Sequence, residues 1–481
     1  MTKTIFEKHV AGRKGFTLPQ LDVPLDTGIP EKFQRANPAR LPELSELDVM
    51  RHFTELASKN HCIEKGFYPL GSCTMKYNPK INETLVRNPA FNNLHPMQGC
   101  ATTQGSLQLL FELQKDLAKI SGFATSTLQP VAGAQGEFAG LKVIRAYHQD
   151  KGNDKNEIIL PDSAHGTNPA SVVLAGYKVV EIKSNSKGMI DLDELRAATN
   201  EKTAGFMLTN PNTLGIFESS FEEIARIIHE VDGLMYMDGA NFNALLGRVK
   251  PGEIGFDIMH YNIHKTFATP HGGGGPGSGP IGVREDLAKY LPVPMVNFAE
   301  GKYWLDYSHE ATSIGKLHSF YGNFAVNFRA YVYLKMLGAR GLERVSENAI
   351  INANYIMRKL EKYYQVPFDE GCMHEFVASG KWQKDKHGVS TLDIAKRILD
   401  KGMHAPTIYF PLIVKEALMI EPTETESKET LDKFIAAMIE IAAEAEKDPE
   451  LLHHAPLNTP VQRVDDTKAV RELDVKFPIN N

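Results

Sequence analysis

Between residues 157 and 263, strand-length apolar runs alternate with helical patterns, and this alternation restricts the fold more than any other feature of the chain. E-I-I-L-P-D at 157–162 and Y-K-V-V-E-I at 177–182 have the composition of strands, with a helix through 170–174 between them. D-L-D-E-L-R-A-A-T at 191–199 predicts a helix and T-A-G-F-M-L-T-N at 203–210 a strand. Ser220 and Glu223 form an S-x-x-E capping box ahead of I-A-R-I-I-H-E-V. G-L-M-Y-M-D then ends at Asp238, and F-D-I-M-H-Y-N-I follows at 256–263. Parallel strands need crossover connections, so repeated β–α units predict an α/β fold with a mainly parallel sheet flanked by helices.

The flanking segments differ. Residues 1–95 are rich in Pro, Asn and polar residues and predict an extended N-terminal arm. Leu107, Leu110, Leu113, Leu117 and Ile120 form one helical stripe that Gly122 ends. A-G-A-Q-G-E opens a second helix through Phe138, Leu141, Ile144 and Tyr147. From about residue 325 the pattern turns helical, with an apolar run at 407–413 and a helix at 427–447. The expected division is an arm (1–95), a large domain (96–325), a smaller C-terminal α+β domain (326–447) and a tail (448–481). The one low-complexity stretch is G-G-G-G-P-G-S-G-P at 272–280. A net charge of −6 argues against a nucleic-acid partner, whose binding rests on neutralised phosphates. No run approaches the 18 or more apolar residues of a membrane span. Cys62, Cys73, Cys100 and Cys372 lack metal-type pair spacing and are too sparse for a disulfide framework, which predicts free thiols and no metal. The N-terminus carries Glu7 and no apolar core of a signal peptide, so the expected compartment is the cytoplasm.

In parallel α/β sheets, ligands bind beyond the carboxyl ends of the strands. The polar residues at those ends are Asp162 with His165, Asn210, Asp238, and His264 with Lys265. The glycine run after Lys265 allows close backbone approach, and the A-G-A-Q-G-E turn offers helix N-terminal N–H groups to a phosphate. These parts fit pyridoxal phosphate, which needs a lysine amine, an acid on its ring nitrogen, a phosphate cradle and a flat neighbour. Lys265 supplies the amine and Asp238 the acid. Ala134, Gln135 and Gly136 would meet the phosphate, and His165 would stack on the ring. Each residue also has a plainer reading. A lone lysine after a strand is ordinarily a solvated surface residue, Asp238 alone suits a turn, and His165 alone suits a structural hydrogen bond. Thr209 and Asn210 either cap the following turn or reach the cofactor.

Six blocks in order carry a resemblance. They are G-F-Y-P-L-G-S-C-T-M-K-Y-N-P (66–79), Q-P-V-A-G-A-Q-G-E (129–137), P-D-S-A-H-G-T-N-P-A-S (161–171), T-N-P-N-T-L-G-I-F-E (209–218), M-D-G-A-N-F-N-A (237–244) and N-I-H-K-T-F-A-T-P-H-G-G-G-G-P-G (262–277). The chain resembles the fold type I pyridoxal-phosphate enzymes, and within them the glycine decarboxylases (P-proteins) of the glycine cleavage system. It looks like the separate C-terminal half of that family, subunit 2. The resemblance implies decarboxylation of glycine, release of CO2 and transfer of the aminomethyl group to the lipoyl arm of an H-protein, formally an oxidoreduction. It further implies a partner subunit 1 in an α2β2 heterotetramer, and Lys265, Asp238, His165 and His264 around the cofactor. Serine hydroxymethyltransferase is the nearest rival, but its lysine follows a run of threonines where this chain has H-Y-N-I-H. Aminotransferases commonly carry serine where Asn262 stands. A non-catalytic assembly subunit would not need Lys265, Asp238 and the phosphate turn together. Ser72, Cys73 and Thr74 are expected to shape the pocket for glycine or the lipoyl arm, at the site mouth or the subunit 1 interface. The alternatives are a packed connector over 68–77, or Cys73 as a nucleophile, although no base stands near it in sequence.

Overall fold

The computed structural model describes residues 2–24, 28–37, 39–95, 98–271 and 277–475. By contacts the chain divides into two units, Met1–Lys65 and Gly66–Asn481. The main element of the first unit is the helix Glu46–Ser58, started by a capping box in which Ser45 and Asp48 satisfy each other's backbone N–H. Phe16, Leu18, Leu21 and Leu41 of this unit are exposed.

The second unit is organised around a seven-stranded sheet of β1 (Thr125–Thr127), β2 (Glu157–Pro161), β3 (Lys178–Ile182), β4 (Thr203–Thr209), β5 (Leu234–Gly239), β6 (Ile258–Tyr261) and β7 (Ile281–Val283), in the order β1-β7-β6-β5-β4-β2-β3. Strands β3, β2, β4, β5 and β6 are parallel, while β7 and β1 add antiparallel pairings at one edge. β4 and β5 are buried along their whole length, which is why their sequences are nearly continuous apolar runs instead of alternating ones. The helix Gln104–Ser121 buries the predicted stripe through Leu107, Leu110, Leu113 and Leu117. It stops at Gly122, whose φ of 77° suits a residue without Cβ. The helix Gly133–Asp150 buries Leu141, Ile144 and Tyr147 against the sheet. The capping box expected at Ser220 does not form. Glu223 turns instead to Arg196 and Arg226, and Ser220 N–H is satisfied by Glu218 Oε1 at 2.9 Å.

A hairpin of β8 (Met295–Ala299) and β9 (Lys302–Asp306) leads into the helical segment Phe324–Leu360, which is interrupted at Gly338. The chain then builds a small antiparallel sheet of β10 (Phe376–Ser379), β11 (Thr407–Ile408) and β12 (Ala417–Ile420). Phe376, Leu418, Ile420, Phe434 and Met438 form its fully buried core with the helix Lys428–Lys447.

The block 66–79, which composition groups with the arm, packs in the second unit along β12. Leu70 bridges Ile420, and a Cβ on Gly71 would stand 2.2 Å from Met419 Cγ. Of the glycine run, 272–276 lie outside the described residues. Gly279 donates its N–H to Pro130 O at 3.0 Å, and a Cβ there would meet Ala132 O at 2.0 Å. The run's end therefore closes on the turn before Gly133. Among the described residues no helix is long and apolar enough to cross a membrane. All four cysteines are free thiols.

Candidate active site

The carboxyl ends of β4, β5 and β6 and the start of the helix Gly133–Asp150 surround a cavity of about 150 Å³. Its lining includes Ser72, Gly133, Ala134, His165, Asp238 and Lys265, together with Thr209, Asn241, Asn262 and His264. Strand register explains the first contact. Asp238 on β5 pairs with His260 on β6, so both side chains project from the same face. His260 Nε2 lies 3.3 Å from Asp238 Oδ1, and its Nδ1 lies 2.9 Å from the Tyr236 hydroxyl. Asn168 Nδ2 donates to Asp238 Oδ2 at 2.9 Å, and Ala240 N–H donates to Oδ1 at 2.9 Å. Burial alone would raise the Asp238 pKa. His260, the two hydrogen bonds and Lys265 outweigh it, so the carboxyl titrates below its ordinary value and is ionised at neutral pH.

Lys265 sits on the short helix Ile263–Thr266 directly after β6, and its Nζ donates to the Ser72 carbonyl at 2.7 Å. His165 is tied by Nδ1 to Thr167, 3.0 Å from the hydroxyl, and meets the Phe410 ring edge-on at 5.6 Å. Burial lowers its pKa, with Lys265 adding to the effect, so the imidazole is neutral at pH 7. His264 is pushed down to about 4 by burial and then by Lys265, and it faces the ring of His271 at 5.0 Å.

The turn that opens the helix Gly133–Asp150 is specific to glycine at Gly133, where a Cβ would lie 2.1 Å from Asn262 Oδ1. The helix begins there without a side-chain cap, so its first N–H groups are left to the cavity side. Gln135 does not line the cavity. Its Oε1 accepts from Val131 N–H at 2.7 Å and its Nε2 donates to Leu317 O at 3.3 Å. Gly136 is a packing position, where a Cβ would meet Gly279 O at 2.5 Å, and its N–H already bonds Ala132 O. Asn210 turns its Oδ1 to Glu218 N–H at 2.9 Å, away from the cavity, whereas Thr209 lines it. Cys73 lies 3.6 Å from His271 Nδ1, so a ring nitrogen stands beside it that sequence spacing concealed. Burial raises the thiol and drives His271 down to about 3, which leaves the pair a neutral thiol and a neutral imidazole. Thr74 is buried and bonds Glu421.

Sequence reading passed over several residues. His260 and Asn168 touch the predicted set, yet only strand register and three-dimensional closure reveal them, and Gly133 lies inside the predicted turn without having been singled out. Glu375 and Glu421 come from the far side of the sequence, and isolated glutamates beside strands give no signal. Lys76 is buried, with Nζ bonded to Glu424, Asn243 Oδ1 (2.7 Å) and Thr266 O (3.0 Å), so it braces the Lys265 helix from behind.

The donor set fits pyridoxal phosphate. Lysine and an ionised carboxylate face one cavity, uncapped helical N–H groups lie beside it, and Thr209 Oγ1 is buried without a hydrogen-bond partner among the described residues.

A family description for the glycine cleavage system P-protein matches residues 15–303, and one for the glycine dehydrogenase C-terminal domain matches 345–456. The probable glycine dehydrogenase (decarboxylating) subunit 2 of Caldanaerobacter subterraneus subsp. tengcongensis is 56% identical over 477 residues, covering 98% of both chains. Its counterpart from Bacillus velezensis is 54% identical, covering 98% of this chain and 97% of its own. A solved glycine decarboxylase (P-protein) of the glycine cleavage system, in inhibitor-bound form, superposes with a TM-score of 0.73 at 21% identity, over 86% of this chain and 93% of that one. A sphingosine-1-phosphate lyase from Burkholderia pseudomallei gives 0.65 at 13% identity, over 88% and 96%. The architecture is that of the fold type I enzymes, with a large mixed sheet flanked by helices and a smaller C-terminal domain. Two family matches in tandem and relatives aligned over nearly the whole chain lead to one conclusion: the chain belongs to the glycine cleavage system P-protein family, among its separate subunit 2 proteins.

Proposed function

We propose that this chain binds pyridoxal phosphate through Lys265 and decarboxylates glycine, passing the aminomethyl group to the lipoyl arm of an H-protein. The observation that carries the reading is the single cavity onto which Lys265, the ionised Asp238 and the uncapped turn at Gly133 all open. Bound there, the cofactor supplies an electron sink for the pair left on glycine as CO2 departs. Asp238, held ionised by His260 and Asn168, keeps a proton on the ring nitrogen and so keeps that sink deep. His165, neutral and fixed by Thr167, offers a flat face to the ring. Ala134 and the first N–H groups of its helix, with Thr209, meet the phosphate, and His264 closes the side next to Lys265. The Ser72 segment, with Cys73 and Thr74 behind it, borders the space left for glycine and the lipoyl arm.

Relatives named subunit 2 imply a partner subunit 1. We assign an α2β2 heterotetramer in the cytoplasm, with the N-terminal arm laying its exposed Phe16, Leu18 and Leu21 on a neighbouring surface. The division into arm, large domain, small domain and tail belongs to the same proposal. Co-purification with subunit 1, followed by exchange of labelled CO2 into the glycine carboxyl, tests the function. Exchange that requires the cofactor and rises with lipoylated H-protein supports it; a pure complex with bound cofactor and no exchange overturns it.

A further inference from the structure

Lys265 Nζ donates to the carbonyl of Ser72, a residue with φ of 63°. A non-glycine residue stays in that left-handed region only where its surroundings hold it. Glu375 provides the hold. Its Oε2 accepts the Ser72 N–H at 2.6 Å and its Oε1 accepts from Asn241 Nδ2 at 3.1 Å. Glu375 is fully buried and stands just before β10, while Glu421 stands just after β12. The antiparallel pairing of Phe376 with Ile420 therefore sets the two carboxyls opposite each other.

Their partners differ. Both Glu375 oxygens accept from N–H donors, the pattern of a carboxylate. Glu421 has only one donor, Thr74 at Oε1, and its Oε2 has no partner among the described residues, so a negative charge there is less supported than on Glu375. The remaining ionisable groups around them are His374, with Nε2 3.9 Å from an oxygen of each, then Lys265, Cys73, Cys372 and Glu424. Burial raises both glutamates, Glu375 to about 7 and Glu421 well above the ordinary carboxylate range, where the neighbouring Glu375 adds its repulsion. Burial and mutual repulsion therefore both oppose two negative charges on the pair, which faces the lysine.

We propose that Glu375 is a positioning residue for Lys265: by gripping the Ser72 N–H it fixes the Ser72 carbonyl as the seat of the lysine amine whenever that amine is not covalently engaged. The functional meaning rests on Lys265 being the cofactor lysine, but the grip itself does not. The seat keeps the released amine in place for its return, and it requires no group from outside the chain.

The test labels Lys265 with acetic anhydride in the cofactor-free full-length protein and reads the modified peptide by mass spectrometry. Glu375→Ala should raise the Lys265 labelling rate about tenfold, the weight of one hydrogen bond from a charged donor. Glu375→Gln, whose amide oxygen still accepts from Ser72, should stay within about threefold of the original rate. Equal rates for Glu375→Ala and the unmodified protein overturn the proposal, as does Glu375→Gln labelling as fast as Glu375→Ala. Hydrogen exchange at the Ser72 amide needs no variant: strong protection supports the grip, and free exchange contradicts it. If borohydride fixes the cofactor to another lysine, the functional reading fails while the labelling result still stands or falls by itself.

Discussion

Asp238→Asn should separate folding from chemistry. The carboxylate accepts from Asn168 and Ala240 and lies beside His260, all at 2.9–3.3 Å and out of solvent. An asparagine keeps one oxygen, which can serve Ala240, but turns an NH2 toward the Asn168 NH2. Losing one hydrogen bond to a charged group costs about 2 kcal/mol, partly recovered if Asn168 flips its amide. Urea unfolding should therefore show a loss of about 1–2 kcal/mol, well within reach of a folded protein. The chemical effect should be larger. A buried carboxylate beside a cationic acid is worth about 1–3 pKa units, and 1.4 kcal/mol per unit makes the upper end about a 10³-fold fall in CO2 exchange. Cofactor attachment, which uses Lys265, should persist in the absorption spectrum. Exchange within about threefold of normal in the folded variant would refute the role given to Asp238.

Gly133→Ala places a Cβ 2.1 Å from Asn262 Oδ1, so the turn or the segment before Lys265 must shift. Strain of about 1–3 kcal/mol predicts roughly tenfold weaker cofactor binding by spectroscopic titration, and unchanged affinity would remove the turn from the site. Lys76→Met leaves Glu424 buried without its cation and should cost about 3–5 kcal/mol in urea unfolding, with part recovered by adding Glu424→Gln. His264, whose folded pKa is pushed down to about 4, binds its proton more readily when unfolded. Its contribution is thus complete above pH 6.5 and is lost as the pH falls toward 4, by up to about 1.4 kcal/mol per pH unit. His264→Gln should flatten the stability profile over that window; an unchanged slope contradicts the burial argument.

The sheet was legible because strands buried on both faces must be largely apolar and parallel strands need crossover connections; β2, β4, β5 and β6 are buried nearly throughout, while the edge strand β3 is more polar and was placed by the helices on either side of it. That Asp238, His165, Lys265 and Ala134 line one cavity was legible for a related reason, since strand ends and helix starts are where such folds bind ligands. Where the structure departs from these expectations, the causes are physical. The capping box at Ser220 was lost because two arginines offered Glu223 a better partner than a backbone N–H. Gln135 and Gly136 belong to the turn that opens on the cavity, but helical geometry sends the glutamine side chain toward Leu317 and uses the glycine for close packing. Asn210 alternates away from the cavity that its neighbour Thr209 lines, a difference of one residue that composition cannot resolve. Residues 66–79 look like arm because an extended segment that completes another domain's surface needs no periodic core of its own. Glu375 and Glu421 reach Ser72 and Thr74 across some 300 residues of sequence, and only the pairing of β10 with β12 brings them there.

The most direct test of the central claim is borohydride reduction of the cofactor-loaded complex with subunit 1, followed by peptide mapping and glycine-dependent CO2 exchange on the same preparations. The account predicts that the reduced cofactor is found on Lys265 and that Lys265→Ala leaves a folded protein with neither adduct nor exchange. Recovery of the adduct on a different residue, or exchange that survives in Lys265→Ala, would contradict it.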